Sequence, residues 1–574
     1  MREFVFSATV APMRRLSLAA LVLAGCTSPQ YQALLEEHAD DVGSEDVSSG
    51  DGQPATTGDT SPASTGPTGS DSAGVSATDA DTAADTTTSD STTDSGAATD
   101  TADGPPVVDP EKPKIVTVDL PAKVYAAGPV KLAVQTEHTG AVHVTLDGAD
   151  AGELIAAGGG LFTGALAVHG AIDNGSHSVE IIAKQGPYED SRPAMYEVST
   201  PEPGTEAWSQ AGPVASRTNR VAVTPTGDLI EAGQTEIGGV PRPTIRKRSG
   251  VTGTELWPEG TITLDTREGA VVDVAMLPDG RMWVAMNVHA PNTDPLPRIV
   301  LLDTDGHEVG IEAVGTAGRV IRALAADADG GCFAVGLAGV MGDWDIAFWA
   351  VDAAGVQTLG DTYDYIPPFK EAHSFVDFAT DVVINGDVAW IVGASKGKHD
   401  DNHDYLRGIL VPMDLHTGKM AGSVSVALPA KGWPQSAFFG ATSSPDGVIV
   451  TGYGCDETCS NYRIETSNYA ADGERTWFGP ETVNVGLTYG SDVALDSQGR
   501  ALVAGAVTQN GKLRGYVFGR KVGVDGPILL DHWYPGVGPS EALGITRDSY
   551  DRIFPAGYIT VSGKTQARVT LIHG

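Results

Sequence analysis

Five charged residues recur at one place in a repeated strand pattern: Arg220, Asp273, Arg322, Asp381 and Asp492. Acidic and basic side chains gathered at one level can pair with each other, because an unpaired charge removed from water is expensive. Alternatively, a carboxylate left over can hold a cation or a polar ligand, and two carboxylates facing one pocket can divide the roles of general acid and base. Aligned repeat by repeat, the equivalent positions read Arg220, Asp273, Arg322, Asp381, Gly440, Asp492 and Gly544. The first four alternate in sign, whereas Asp492 stands between two glycines. Asp492 is therefore the leading ligand-binding candidate, with Asp381, Asp273, Arg220 and Arg322 around it. Mutual pairing of these charges is the plainer alternative.

The run KHDDNHDY carries His399, Asp400, Asp401, His403 and Asp404. Imidazole and carboxylate at that density can chelate zinc or a similar ion, with His399, Asp401 and His403 as the candidate ligands. A hydrophilic loop tip explains the same residues. In CDETC, Cys455 and Cys459 have room to bridge in an oxidising space, with two free thiols or a metal as the alternatives. Cys332, on an apolar strand, reads as a small buried residue. Gly393 to Gly397 spells GASKG, which matches G-x-S-x-G but ends a strand instead of opening a helix, so it is not read as a nucleophile. DTDGHE at Asp303 and DADGG at Asp327 echo calcium loops, yet they fall where hairpins need turn residues. No cofactor is implied.

The elements that must position these groups are strands. From Trp208 onward one pattern returns: an apolar strand, a tight turn, a second strand ending in glycine, a longer loop, a third strand and another turn. It reads RVAVTPTGDLIEAG from Arg220, DVAMLPDGRMWVAM from Asp273, DVVINGDVAWIVG from Asp381 and DVALDSQGRALVAG from Asp492, with three further copies. Its closing positions, Gly233, Met286, Gly336, Gly393, Gly452, Gly505 and Gly557, lie 50 to 59 residues apart. Units of that size with three or four strands each are propeller blades. The last copy ends after its third strand. Trp208 in EAWSQAG matches Trp257, Trp477 and Trp533, all of which follow a third strand, so residues 206–211 are expected to lend the final blade its outer strand. The sevenfold recurrence over 206–574 resembles the SBBP-type β-propeller repeats of exported bacterial proteins. That resemblance implies a seven-bladed propeller and an exported life, and no fixed reaction. In such a fold the charged positions would lie near the mouth of the central channel.

Ahead of the repeats, residues 111–201 alternate with period two: Val130, Leu132 and Val134, then Val142, Val144 and Leu146, then Phe162, Leu166 and Val168, then Val179, Ile181 and Ala183. Gly-rich breaks between these runs predict a small antiparallel β-sandwich. The run NGSHSVEIIAKQG with the following strand resembles the closing hairpin of bacterial Ig-like or fibronectin-like modules.

Residues 27–110 hold no Lys or Arg and scatter Asp and Glu through Ser, Thr, Ala and Gly. Such a segment cannot bury enough apolar surface to offset chain entropy, and a disordered acidic linker with an r.m.s. span of roughly 45 Å is expected. Before it, Arg14 and Arg15 precede LSLAALVLAGC, a run too short to span a bilayer. Residues 1–26 read as a signal peptide, with Met13 an alternative start, and LAGC resembles the lipobox of bacterial lipoproteins. That resemblance implies acylation of Cys26 and attachment to the cell envelope, at the outer membrane or cell surface, through lipid alone.

The whole chain has 574 residues and a formal charge of −37, with 41% hydrophobic residues and 71 glycines. The charge excludes a nucleic-acid partner bound through counterion release. The composition excludes a wholly disordered chain. The expected all-β protein is a monomeric lipoprotein that displays its propeller to an envelope protein, a glycan or a small polar ligand. A polysaccharide hydrolase or lyase using Asp273, Asp381 and Asp492 is the alternative, and it requires at least two of them to be unpaired and facing one pocket.

Overall fold

The computed structural model describes residues 111–574 except 292, 317, 341–342, 367–375, 399–403, 429–431, 482–485 and 536–537. Cys26 with the signal and linker segments, and His399, Asp401 and His403, lie outside the described residues. The described elements are β-strands apart from one 3-10 turn at Ala171–Asp173. Among the described residues no helix is long and apolar enough to cross a membrane.

Two sheets make up the N-terminal part. A four-stranded sheet orders Lys114–Asp119, Gly128–Glu137, Leu161–Val168 and Ile155–Gly158, and a five-stranded sheet is centred on Tyr188–Val198, Gly175–Gln185 and Ala141–Leu146. Strict alternation turns Val130, Leu132 and Val134 of one sheet toward Val142, Val144, Val179 and Ile181 of the other, and all are buried in one core with Phe162 and Tyr196. Each such side chain contributes about 1.5–3 kcal/mol by leaving water.

Each later repeat folds into an antiparallel four-stranded meander. The innermost strands are Ser216–Val223, Glu268–Met276, Val320–Ala326, Val376–Asn385, Gln435–Ser444, Thr488–Leu495 and Ser540–Arg547. Each lies beside the innermost strands of the repeats before and after it, and the last lies beside the first, so the propeller-like ring is closed. A single parallel bridge, Trp344 to Val376, joins the third and fourth meanders. The outer strand of the final meander is Glu206–Val214, which pairs antiparallel with Lys564–Ile572. The Ser209 and Thr570 hydroxyls lie 2.9 Å apart across that seam, and the Gly204 N–H donates to the His573 carbonyl at 2.9 Å.

Apolar faces of adjacent meanders meet in separate cores: Ile230, Val271 and Val284 between the first two, Trp283, Leu301 and Ala334 in the next, and Val221, Leu229 and Phe554 where last meets first. Tight turns close the hairpins, several of them with an Asp at the start and a left-handed glycine near the end. In the turn at Asp327 its Oδ1 accepts the Gly331 N–H at 2.7 Å, and Gly330 has φ 91°.

Candidate functional site

Every innermost strand carries a β-bulge at the same height. The register against the second strand slips between Thr218 and Arg220, Val271 and Asp273, Ile321 and Ala323, Ala379 and Asp381, Phe438 and Gly440, Gly490 and Asp492, and Ala542 and Gly544. A bulge inserts one residue and bends its strand. Here it drives the preceding carbonyl toward the second strand, where a Cβ on Gly233, Gly336, Gly393, Gly452, Gly505 or Gly557 would come within 1.8–2.1 Å of it. That crowding is why the second strand closes on glycine. In the second repeat Met286 takes this place, and the glycine moves to the inner strand as Gly269, where φ is 159° and a Cβ would lie 2.2 Å from the Asn287 carbonyl.

The bulges also fix which side chains share a level. The true equivalents are Arg220, Asp273, Ala323, Asp381, Gly440, Asp492 and Gly544. Arg322 does not belong with them: it is the bulged residue itself, because Ile321 pairs with Gly336 and Ala323 with Val335. The level thus holds one arginine, three aspartates on alternate strands, and small residues between. Two of the small residues are required by close packing, since a Cβ on Gly440 would be 2.5 Å from the Asp492 Cα and one on Gly544 would be 3.1 Å from the Arg220 Cα. The level lies midway along strands, not at the mouth. Four strand residues, Ser216 to Asn219, precede Arg220, roughly 13 Å of extended chain.

Each aspartate binds its strand to the next. Asp273 Oδ1 accepts the Val274 N–H and Oδ2 that of Leu324, both at 2.8 Å. Asp381 accepts from Val382 and Ala441 at 2.8 Å, and Asp492 from Val493 at 2.8 Å and Ile545 at 2.9 Å. The Arg220 guanidinium reaches all three: Nη1 lies 2.9 Å from Asp492, Nη2 3.4 Å from Asp381 and Nε 3.5 Å from Asp273. The expectation that Asp492 lacks a cationic partner is therefore corrected. Its partner stands two strands away round the ring, beyond Gly544, and the long arginine side chain reaches past that small residue.

One positive and three negative charges leave two negative charges in excess in a buried place. Burial pushes Asp273 up to about 6 and Asp381 up to about 7 in spite of Arg220, and it raises Asp492 as well. Burial also opposes the charge on Arg220, but the carboxylates, Asp492 foremost, hold its pKa above the ordinary value. The cluster can take up protons near neutrality and it clamps alternate strand pairs. With both oxygens of each carboxylate engaged by backbone N–H groups, it has no free base aimed at a substrate.

Sequence reasoning missed a second group at the start of the same strands. The Tyr489 hydroxyl donates to Glu541 Oε2 at 2.8 Å, the Tyr558 hydroxyl donates to Oε1, and the Arg217 guanidinium lies over the Tyr558 ring at 5.2 Å. Burial and the Glu541 carboxylate push both hydroxyls well above their usual range, so they remain donors. Arg217, Tyr489 and Glu541 each stand three residues before the charged level, a common offset that would have found them.

Cys455 and Cys459 are bonded, with their Cα atoms 4.9 Å apart. Cys332 is a buried free thiol. Ser395 of the GASKG run lies within the strand Val388–Lys398, buried, and the next described element is another strand, Asp404–Asp414. Asp303 serves its turn, Oδ1 accepting the Asp305 and His307 N–H groups at 2.9 Å. Among the described residues no three His, Cys, Asp or Glu side chains gather as a metal-holding group.

No family model matches the sequence, and no curated protein resembles it in sequence. Several solved structures share the architecture. An ulvan lyase from a new family of polysaccharide lyases is 9% identical with a TM-score of 0.39, over 62% of this chain and 95% of that one. Sqt1 from Chaetomium thermophilum is 13% identical with a TM-score of 0.36, over 63% and 97%. A protein of unknown function from Dyadobacter fermentans is 10% identical with a TM-score of 0.36, over 53% and 95%. The likeness is to propeller-type, all-β folds, and at these scores it says nothing further about the chain.

Proposed function

We propose that this chain is an exported binding or scaffold protein. A seven-bladed propeller, residues 206–574, is carried on an Ig-like module, residues 111–201. Behind them lie an acidic linker and a lipid anchor at Cys26. The observation that carries the reading is the state of the ring carboxylates: Asp273, Asp381 and Asp492 are each held by two backbone N–H groups and share Arg220, which is the arrangement of a clamp. A hydrolase or lyase working through these three would need two of them open to a common pocket. Exposed apolar side chains stand elsewhere. Val214, Ile237 and Val561 lie at hairpin ends tied together through Ala215, whose N–H donates to Thr565 and whose carbonyl accepts from Glu236. Exposed apolar surface of this kind favours contact with a partner.

The test is capture of envelope components on immobilised residues 111–574, with the bound fraction split by protease and by glycosidase treatment. A protein or glycan retained in stoichiometric amount supports the reading. Polysaccharide turnover that is abolished by Asp381→Asn, in a variant of unchanged fold, would replace it with the enzyme reading. Labelling with radioactive palmitate, lost in Cys26→Ala, tests the anchor separately.

A further inference from the structure

Three of the hairpins between the first and second strands of a repeat share a turn that begins with aspartate and ends, four residues on, at the first residue of the second strand or just before it. In two of them that last residue is arginine, and it folds back on the aspartate: Arg500 Nε donates to Asp496 Oδ2, and Arg552 Nε donates to Asp548 Oδ2 at 2.5 Å. All four of these residues are buried. In the third repeat the same turn starts at Asp327 and ends at Gly331, so the aspartate is present and the arginine is not.

A cavity of about 430 Å³ opens at this place, between turns 327–331 and 352–356 of the third repeat and turn 414–418 of the fourth. Its floor is apolar, made by Phe333, Val351 and Leu415. The Cys332 thiol adds to the floor and stays protonated, because burial pushes its pKa well up. Asp327, Asp329, Asp352 and His416 also line the cavity, and no Lys or Arg is among its lining residues. Asp327 and Asp352, both in the cavity lining, each use one oxygen for a turn N–H, of Gly331 at 2.7 Å and of Val356 at 2.8 Å. The chain cannot fill the place from residue 331, since a Cβ there would be 2.5 Å from the Val351 carbonyl.

We infer that this cavity binds an organic cation, a guanidinium or ammonium group on a short aliphatic stem, in the place that Arg500 and Arg552 occupy in the sister turns. The cationic head sits against Asp327 and Asp352, and the stem covers Phe333 and Leu415. The volume lies in the range of small-ligand pockets, and the lining combines apolar side chains with carboxylates. This site is separate from the ring clamp and does not depend on the binding reading above. Such a cation exists as a free metabolite or as the Arg or Lys side chain of another protein.

The test is isothermal titration of the whole chain with agmatine, with putrescine and with N-acetyl-arginine amide, at fixed ionic strength. One saturable site per chain is expected. Loss of one charge-assisted hydrogen bond should weaken it about tenfold or more in Asp327→Asn, whose remaining oxygen still serves the turn. Leu415→Trp, which fills the cavity, should abolish binding, and Asp472→Asn, an equal charge change in another hairpin, should leave it within about twofold. Tighter binding of agmatine or putrescine points to a metabolite, and tighter binding of the blocked arginine to a protein side chain. Absence of a saturable site, equal weakening by Asp472→Asn, or displacement by magnesium at the same ionic strength would overturn the inference, because each would mean only diffuse attraction to an acidic surface.

Discussion

Replacing Arg220 with methionine keeps an unbranched, though shorter, stem and removes the cation that Asp273, Asp381 and Asp492 share. Three contacts of 2.9, 3.4 and 3.5 Å disappear together. Taking one partner from a buried ion pair typically costs about 3–5 kcal/mol. Each aspartate keeps its two backbone N–H donors, so the loss should sit near the low end wherever protons can replace the arginine, and near the high end where they cannot. The pH dependence follows from the sign of the shifts. Asp273 at about 6 and Asp381 at about 7 are raised above the ordinary 3.8, so the folded chain holds protons that the unfolded chain has released. Stability contributed by these groups is full below about pH 4 and declines as pH rises through 6 to 7. Without Arg220 both values rise further, and each additional proton held steepens the decline by about 1.4 kcal/mol per pH unit. Urea denaturation of the parent and Arg220→Met at pH 5.5 and pH 8 measures this. The variant should lose more stability at pH 8 than at pH 5.5, and Asp381→Asn in the same background should restore part of it. A loss below about 0.5 kcal/mol at pH 8, or one equal at both values, would refute the clamp.

Deleting residues 202–212 strips the outer strand from the final meander and should lower the melting temperature of the ring sharply, as read by calorimetry; an unchanged transition would mean the seam is not structural. Gly505→Ala places a Cβ 2.1 Å from the Tyr489 carbonyl and should cost about 3 kcal/mol in chemical denaturation, whereas Gly526→Ala, with open space around it, should cost far less. Burial works against the Asp265 carboxylate, but Arg267 and Arg298 hold its pKa down at about 2, so its contribution is present above pH 4 and lost as pH falls toward 2. Asp265→Asn should therefore flatten that acid limb by about 1–2 kcal/mol in a pH series.

The period of the repeats, the hairpin turns and the alternation in residues 111–201 were open to sequence reading because each is a local pattern imposed by strand geometry. The repeated closing glycine was visible too, although its cause, a carbonyl driven across by the bulge, was not. The bulge also explains the misplacement of Arg322: an inserted residue shifts the true register by one, and aligning charge with charge chose the wrong neighbour of Ala323. Asp492 was misjudged for a different reason. A repeat alignment compares each residue only with the strands on either side, whereas Arg220 reaches its neighbour Asp273 and also Asp492 and Asp381 on strands that do not adjoin its own. The Glu541 cluster escaped because its members come from different repeats and share only an offset, and the arginine missing after Asp327 became meaningful only beside Arg500 and Arg552 in place.

The seam between Glu206–Val214 and Lys564–Ile572 joins the beginning of the ring to its end. During synthesis the first of these strands emerges some 360 residues before its mate, as the separation of Ser209 and Thr570 records. The ring therefore stays open until Lys564–Ile572 has been made, and until then the sheet edges that the seam joins stand unpaired. Folding should be slow and strongly dependent on distant contacts, and nascent chains should need protection from edge-to-edge association. Once shut, the seam is a zip fastener whose two halves belong to opposite termini. Within the ring, a pull arriving from the N-terminal side meets this strand pair first, so the ring's resistance to tearing rests on its nine-residue hem and the Trp208 ring beneath it.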